Sequence, residues 1–303
     1  MSETSEKCRR DFAKGDAERD AGLTTPKDII RYDDISYGED EKYNLLDVYR
    51  PRAAGDKKLP VILNIHGGGW VYGDKEVYQF YAMSLAQRGF AVVNFNYRLS
   101  PEHRFPTHIE DICAAFSWTV KNKDRYGFDT DNLFAVGDSA GGHLLGLFAA
   151  LVTDPGYRKE LSDQYPQAVF DCEDIKLRAI ALNCGKYDLS KSDIKDENTP
   201  KLIVDLFEHG GDEKELHITN VLEKITGDYP PVFLMTCPGD FLRDQAVYMT
   251  EALVNNKVPF VFRYYGNEEN PLHHVFHCNV RLSDGIKCND DECAFFREYM
   301  KEP

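Results

Sequence analysis

No run of about 18 apolar residues occurs anywhere in the 303-residue chain, so no segment has the length and character of a membrane-spanning helix. Basic residues are in deficit, 36 against 51 acidic, and the net charge of −15 disfavours binding to nucleic acid or to an anionic membrane. A neutral or cationic small molecule is easier to accommodate than a polyanion. The start of the chain has no apolar signal core: Met1-Ser2-Glu3-Thr4-Ser5-Glu6-Lys7 leads into charge, so a cytoplasmic, reducing compartment is expected and the eight cysteines are read as free thiols. Cys288 and Cys293 are the nearest pair, and no Cys-x-x-Cys or Cys/His set has zinc spacing, so neither a metal nor a cofactor is expected. There is no internal repeat, low-complexity tract or second domain.

What is present alternates. Ile30–Tyr37 and Tyr43–Tyr49 read as a leading antiparallel pair around Gly38-Glu39-Asp40-Glu41. Strands at Val61–Ile65, Ala91–Asn96, Leu133–Val136, Leu177–Leu182, Val232–Thr236 and Phe260–Tyr265 then alternate with helices near Tyr78–Arg88, Thr107–Arg125 and His143–Leu151, before a closing helix at Glu292–Lys301. Such alternation predicts an α/β fold, a mostly parallel central sheet flanked by helices. The charged first 30 residues and the stretch 191–225, with its amphipathic Leu202-Ile203-Val204-Asp205-Leu206-Phe207, break the rhythm. They are read as a small helical cap on a single domain, 1–303.

Gly137-Asp138-Ser139-Ala140-Gly141-Gly142 lies between a strand and a helix. That is the setting of a nucleophile elbow, in which flanking glycines let the backbone crowd and lift the serine hydroxyl clear. Upstream, Val61–Ile65 runs into His66-Gly67-Gly68-Gly69-Trp70, and three successive glycines after a strand are costly unless their N–H groups serve a purpose such as holding an oxyanion. Downstream, Asp240 follows a strand, and Leu272-His273-His274-Val275-Phe276-His277 supplies histidines. The chain order Ser, Asp, His is that of α/β-hydrolases.

Together with Asn96–Pro106 and Asp240-Phe241-Leu242-Arg243-Asp244, these motifs resemble the hormone-sensitive-lipase-like α/β-hydrolases, and among them the bacterial carboxylesterases and feruloyl or acetyl esterases whose oxyanion loop reads His-Gly-Gly-Gly-Trp. The resemblance covers about Tyr43 to Asn279. It implies Ser139 as nucleophile, Gly68, Gly69 and Ala140 as backbone oxyanion donors, Asp240 as the acid with Asp244 as the other carboxylate, and His274 as the base with His273 and His277 competing. Val275 stands where the family's pattern has glycine. Trp70, Tyr72, Leu242, Phe276 and, less directly, Phe207 are candidate pocket walls, each of which could equally be core.

His66, His143, Asp138 and Asp47 are read as structural, as are Arg98, Glu102 and Arg104 of the Tyr97–Pro106 stretch. The expected activity is carboxylic-ester hydrolysis of short-chain or small aromatic acyl esters, because no broad apolar lid for long lipid tails is visible. Amide or formamide hydrolysis on the same fold, a carbohydrate de-esterifying version and a catalytically inactive ligand-binding module are the alternatives. The partner is a small-molecule ester, with homo-oligomerisation left open.

Overall fold

Residues 2–191 and 197–301 are described by a computed structural model. Helix α1 (Glu3–Asp20) comes first, begun by Ser2, whose hydroxyl accepts from the Ser5 N–H. Strands β1 (Ile29–Ser36) and β2 (Leu45–Pro51) pair antiparallel, and β2 runs antiparallel to β4 (Ala91–Phe95). β3 (Leu59–Ile65), β5 (Phe128–Asp138), β6 (Ala179–Asn183), β7 (Val232–Thr236) and β8 (Phe260–Tyr264) extend the sheet in parallel, in the order β1-β2-β4-β3-β5-β6-β7-β8.

The central strands are apolar on both faces because both faces are covered. Val61, Leu63 and Ile65 of β3 point to one side, with α3 (Thr107–Lys121) and α5 (Ala140–Thr153) packed there, while Ile62 joins the other side, under α2 (Lys75–Gln87) and α10 (Ser283–Glu298). Caps explain several starts: Asp74 accepts from the Val77 N–H at the head of α2, and Asp154 with Pro155 opens α6 (Pro155–Gln164).

The alternation of strands and helices predicted from sequence is observed, with differences at particular elements. The expected helix Thr107–Arg125 breaks at Asn122, where α4 (Lys123–Tyr126) restarts and ends on the left-handed Gly127. The closing helix begins at Ser283, nine residues before Glu292. Between 191 and 225 lie α7 (Thr199–Leu206) and α8 (Glu213–Ile218), the latter started by a reciprocal Asp212–Glu215 capping box. Residues 192–196 of that expected cap segment lie outside the described residues. Helix α6, and α9 (Arg243–Asn255) between β7 and β8, were not read from the sequence.

Two distant segments meet above the carboxyl ends of the strands. Ser2 and Ser5 of the α1 terminus donate to Asp205 of α7, and Arg9 forks onto Glu102 while also donating to the Val71 and Ser100 carbonyls. Asp47 is buried against Lys75, whose ammonium it meets at 3.0 Å, and so ties β2 to α2. Among the described residues, no helix is long and apolar enough to cross a membrane.

Candidate active site

Ser139 sits between β5 and α5 at φ 52°, ψ −118°, outside the comfortable region for a side-chain-bearing residue. The glycines around it are forced by contact. A Cβ on Gly137 would lie 2.5 Å from the Gly141 carbonyl oxygen, and one on Gly141 would lie 2.0 Å from that of Ile65. The turn can therefore close only without those side chains.

The loop after β3 is built the same way. Gly68 at φ 118° folds the chain back so that its carbonyl accepts from the Val71 and Tyr72 N–H groups, and a Cβ there would collide with Tyr72. Gly69 and Trp70 follow at φ 61° and 63°. His66 braces the loop: it is buried, its Nδ1 lies 2.8 Å from the Gly67 carbonyl, and its ring stacks on Tyr97 at 4.1 Å. Burial pushes its pKa down to about 4, so it stays neutral.

Asp138 joins the two glycine-rich turns. One oxygen accepts from the Gly67 N–H at 3.2 Å and the other from the Tyr78 hydroxyl at 2.8 Å, while Tyr78 itself accepts from Gly67 at 3.0 Å. Burial raises the carboxyl to about 6, opposed by the Tyr78 hydrogen bond, the nearby His274 and the Gly67 N–H.

Asp240, just past β7, and His274, after β8, meet: Nδ1 of the histidine is 2.7 Å from Oδ1 of the acid. Asp240 also accepts from the Leu242 N–H at 2.9 Å and the Thr236 hydroxyl at 2.6 Å. Burial acts to raise its pKa, but the charge and hydrogen bond of His274, with those from Thr236 and Leu242, hold it below the usual carboxylate range. Asp244 lies on α9 beside Arg243, at 3.7 Å. His273 is exposed and pairs by its backbone with Gly239, whereas His277 is fully buried, edge-on to Tyr81, with its pKa pushed down to about 3 by burial.

Ser139, Gly68, Gly69, Ala140 and His274 all line one cavity of about 330 Å³. Trp70, Tyr72 and Leu242 line it too. Phe276 does not: Val275 takes φ 53°, the chain turns into a short 3-10 helix, and the Phe276 ring is buried against Tyr265 instead. Phe207 is likewise core, packed on Phe105. The wall expected of Phe276 is supplied by Phe241, whose ring lies 4.2 Å from that of His274, and by Val275. Sequence reasoning missed Phe241, although it adjoins Asp240, and missed Phe12, Asp16 and Arg19 of α1 and Leu202 of α7.

The residues read as structural are tied into the frame. His143 is buried, its Nε2 3.0 Å from the Thr219 carbonyl and its ring edge-on to Trp70. Arg98 forks onto Asp111, and Arg104 donates to the Phe207 and Glu208 carbonyls.

This geometry has counterparts. Esterase LipC of Mycobacterium tuberculosis is 33% identical over 168 residues, which cover 55% of this chain and 38% of that protein. The chain thus spans well under half the length of LipC, and 39% of esterase LipQ of the same organism. The crystal structure of esterase B from Lactobacillus rhamnosis superimposes with a TM-score of 0.86 at 26% identity, covering 98% of this chain and 95% of that one. An esterase of the bacterial hormone-sensitive lipase family, at 19% identity and a TM-score of 0.73, shares the fold. The family model described as BD-FAE matches residues 46–252, and the chain belongs to that family of α/β-hydrolases.

Proposed function

We propose that the protein is a serine carboxylic-ester hydrolase acting on short-chain or small aromatic acyl esters. The observation that carries this reading is the 2.7 Å contact of His274 Nδ1 with the buried Asp240, with His274 lining the same cavity as the strained Ser139.

The chemistry follows from which nitrogen holds the proton. Asp240, kept ionised, accepts the Nδ1 proton and leaves the Nε2 lone pair of His274 to take the proton of Ser139 as its oxygen attacks the ester carbonyl. Asp240 then stabilises the imidazolium. The N–H groups of Gly68, Gly69 and Ala140 hold the tetrahedral oxyanion, and loss of one such donor typically costs about 100- to 1,000-fold in rate. His274 hands its proton to the leaving alcohol, and a water deprotonated by the same histidine frees the acid from Ser139.

Helices α1 and α7 act as the cap of a single domain, since Phe12 and Leu202 wall the cavity from those two segments. Esterase B of L. rhamnosis is inhibited by a tributyrin phosphonate, which supports a short acyl chain for this relative of it. A reducing, cytoplasmic setting suits eight buried cysteines, none of them in a disulfide. Ester rather than amide hydrolysis is favoured because LipC, LipQ and esterase B are esterases by name.

Labelling with a fluorophosphonate tests the reading. One adduct on Ser139, absent in Ser139→Ala, is expected together with p-nitrophenyl butyrate turnover. An adduct with turnover of anilides but not esters would favour the amidase, and no adduct would favour a binding protein.

A further inference from the structure

The catalytic machinery proposed above leaves one nucleophilic group beside it without a part. Cys184 follows β6 at φ 49°, with its N–H bonded to the Met235 carbonyl, and this left-handed turn puts its thiol against the acid and histidine. One donor atom each from Cys184, Asp240 and His274 lies within 4.8 Å of the others. The surroundings are sulfur-rich: Met235 Sδ is 3.8 Å from Cys184 Sγ, and the Cys237 thiol is a further neighbour. Cys237 hydrogen-bonds with Cys184 and also directs its thiol at the Leu272 and His273 carbonyls, 3.1 and 3.3 Å away.

Thiolate, imidazole and carboxylate are a ligand set for zinc and, through the sulfur, for softer cadmium. Magnesium and calcium, which want oxygen ligands, have one donor here. His274 lines the cavity that also holds Ser139, which gives an ion its way in.

We propose that Cys184, Asp240 and His274 form a binding site for zinc or cadmium, and that its occupation switches the enzyme off. The consequence rests on the role proposed for His274, while the binding does not. A cation held there takes the Nδ1 lone pair in place of the proton that Asp240 now accepts; that proton is re-placed on Nε2 by exchange with solvent, and the thiol proton is released to solvent. Neutral imidazole coordinated through Nδ1 carries its remaining proton on Nε2. No lone pair then remains to receive the proton of Ser139, so turnover stops although the nucleophile is untouched.

The test is a titration of the full chain with zinc and cadmium chlorides, with magnesium as control, read in two ways. Turnover of p-nitrophenyl butyrate reports inhibition, and the ultraviolet cadmium–thiolate band reports binding independently of any activity. Inhibition by zinc and cadmium but not magnesium, reversed by EDTA, is expected, with a cadmium band at one equivalent in both wild type and Ser139→Ala. Cys184→Ala should retain turnover, lose the band and weaken inhibition by at least about tenfold, the scale on which even outer partners of a metal site act. Cys237→Ala should behave as wild type. If Cys184→Ala does not fold, Cys184→Ser carries the same expectation for cadmium. Undiminished inhibition without Cys184, or no cadmium–thiolate band on wild type, overturns the proposal; a band on a protein that hydrolyses no ester would instead leave the site standing and refute the proposed activity.

Discussion

Replacing Asp138 by asparagine alters one charge and almost no volume, yet it should slow catalysis. In wild type two donors converge on the carboxylate, the Gly67 N–H and the Tyr78 hydroxyl, and both oxygens accept. An amide has one acceptor oxygen. If its NH2 faces Tyr78, the phenolic proton loses its acceptor; if it faces Gly67, two N–H groups oppose each other. Either arrangement leaves a buried donor unsatisfied, which costs about 1–3 kcal/mol. The loop can relieve that by shifting Gly67, and Gly68 and Gly69 move with it. Because the oxyanion contacts proposed for Gly68 and Gly69 would matter most in the transition state, the loss is expected to fall on kcat, and with about 1.36 kcal/mol per tenfold, about 10- to 100-fold is expected. KM should change little, since Phe12, Leu202 and Phe241 keep their places. Steady-state kinetics with p-nitrophenyl butyrate, alongside urea melts to establish that the variant is folded, decide the matter. A folded Asp138→Asn variant with wild-type kcat would refute the claim that Asp138 holds the oxyanion loop.

Three other perturbations have defined outcomes. Gly141→Ala places a Cβ 2.0 Å from the Ile65 carbonyl oxygen, where only backbone can give way, so the variant should lose roughly 3 kcal/mol and nearly all activity; a wild-type melting temperature would contradict the packing described. Glu292, fully buried beneath the sheet, accepts from Asn183 and Tyr81, yet burial lifts its pKa from the ordinary 4.5 to about 7. A carboxyl raised on folding binds more protons folded than unfolded, so its contribution falls as pH rises through that interval. The stability difference between wild type and Glu292→Gln should therefore shift by about 2–3 kcal/mol in favour of the variant between about pH 5 and pH 8, and denaturant melts showing a pH-independent difference would refute this. Arg9→Ala removes the fork on Glu102 and the bonds to the Val71 and Ser100 carbonyls, loosening α1 over the cavity. KM should rise by up to roughly tenfold with kcat less affected, as for a loss of about 1 kcal/mol in docking; an unchanged KM would show that α1 does not shape the pocket.

The parts of the site that were legible in the sequence are those where backbone geometry forces residue type. Gly68, Gly137 and Gly141 stand where a side chain would strike a carbonyl, and apolar runs such as Val61–Ile65 belong to strands covered on both faces. The walls were less legible. Helix α1 is polar nearly throughout, with Ser5 and Cys8 its buried residues, so no apolar stripe marks it, and it meets α7 through a contact 203 residues apart in sequence. Phe276 and Phe241 are aromatics near the same histidine, and the chain turns at Val275, which has a positive φ, with Phe276 in the core against Tyr265 while Phe241 faces the cavity. The closeness of Cys184 to Asp240 and His274 was equally hidden, because three separate strand ends bring them together.

The catalytic roles proposed for the cavity depend on ester hydrolysis through Ser139 with His274 as its base. The decisive experiment is hydrolysis of p-nitrophenyl esters from acetate to palmitate by wild type, Ser139→Ala and His274→Ala. A maximum between acetate and hexanoate that disappears in both variants is expected; turnover persisting at the wild-type rate without Ser139, or no hydrolysis of any ester by wild type, would contradict the assignment.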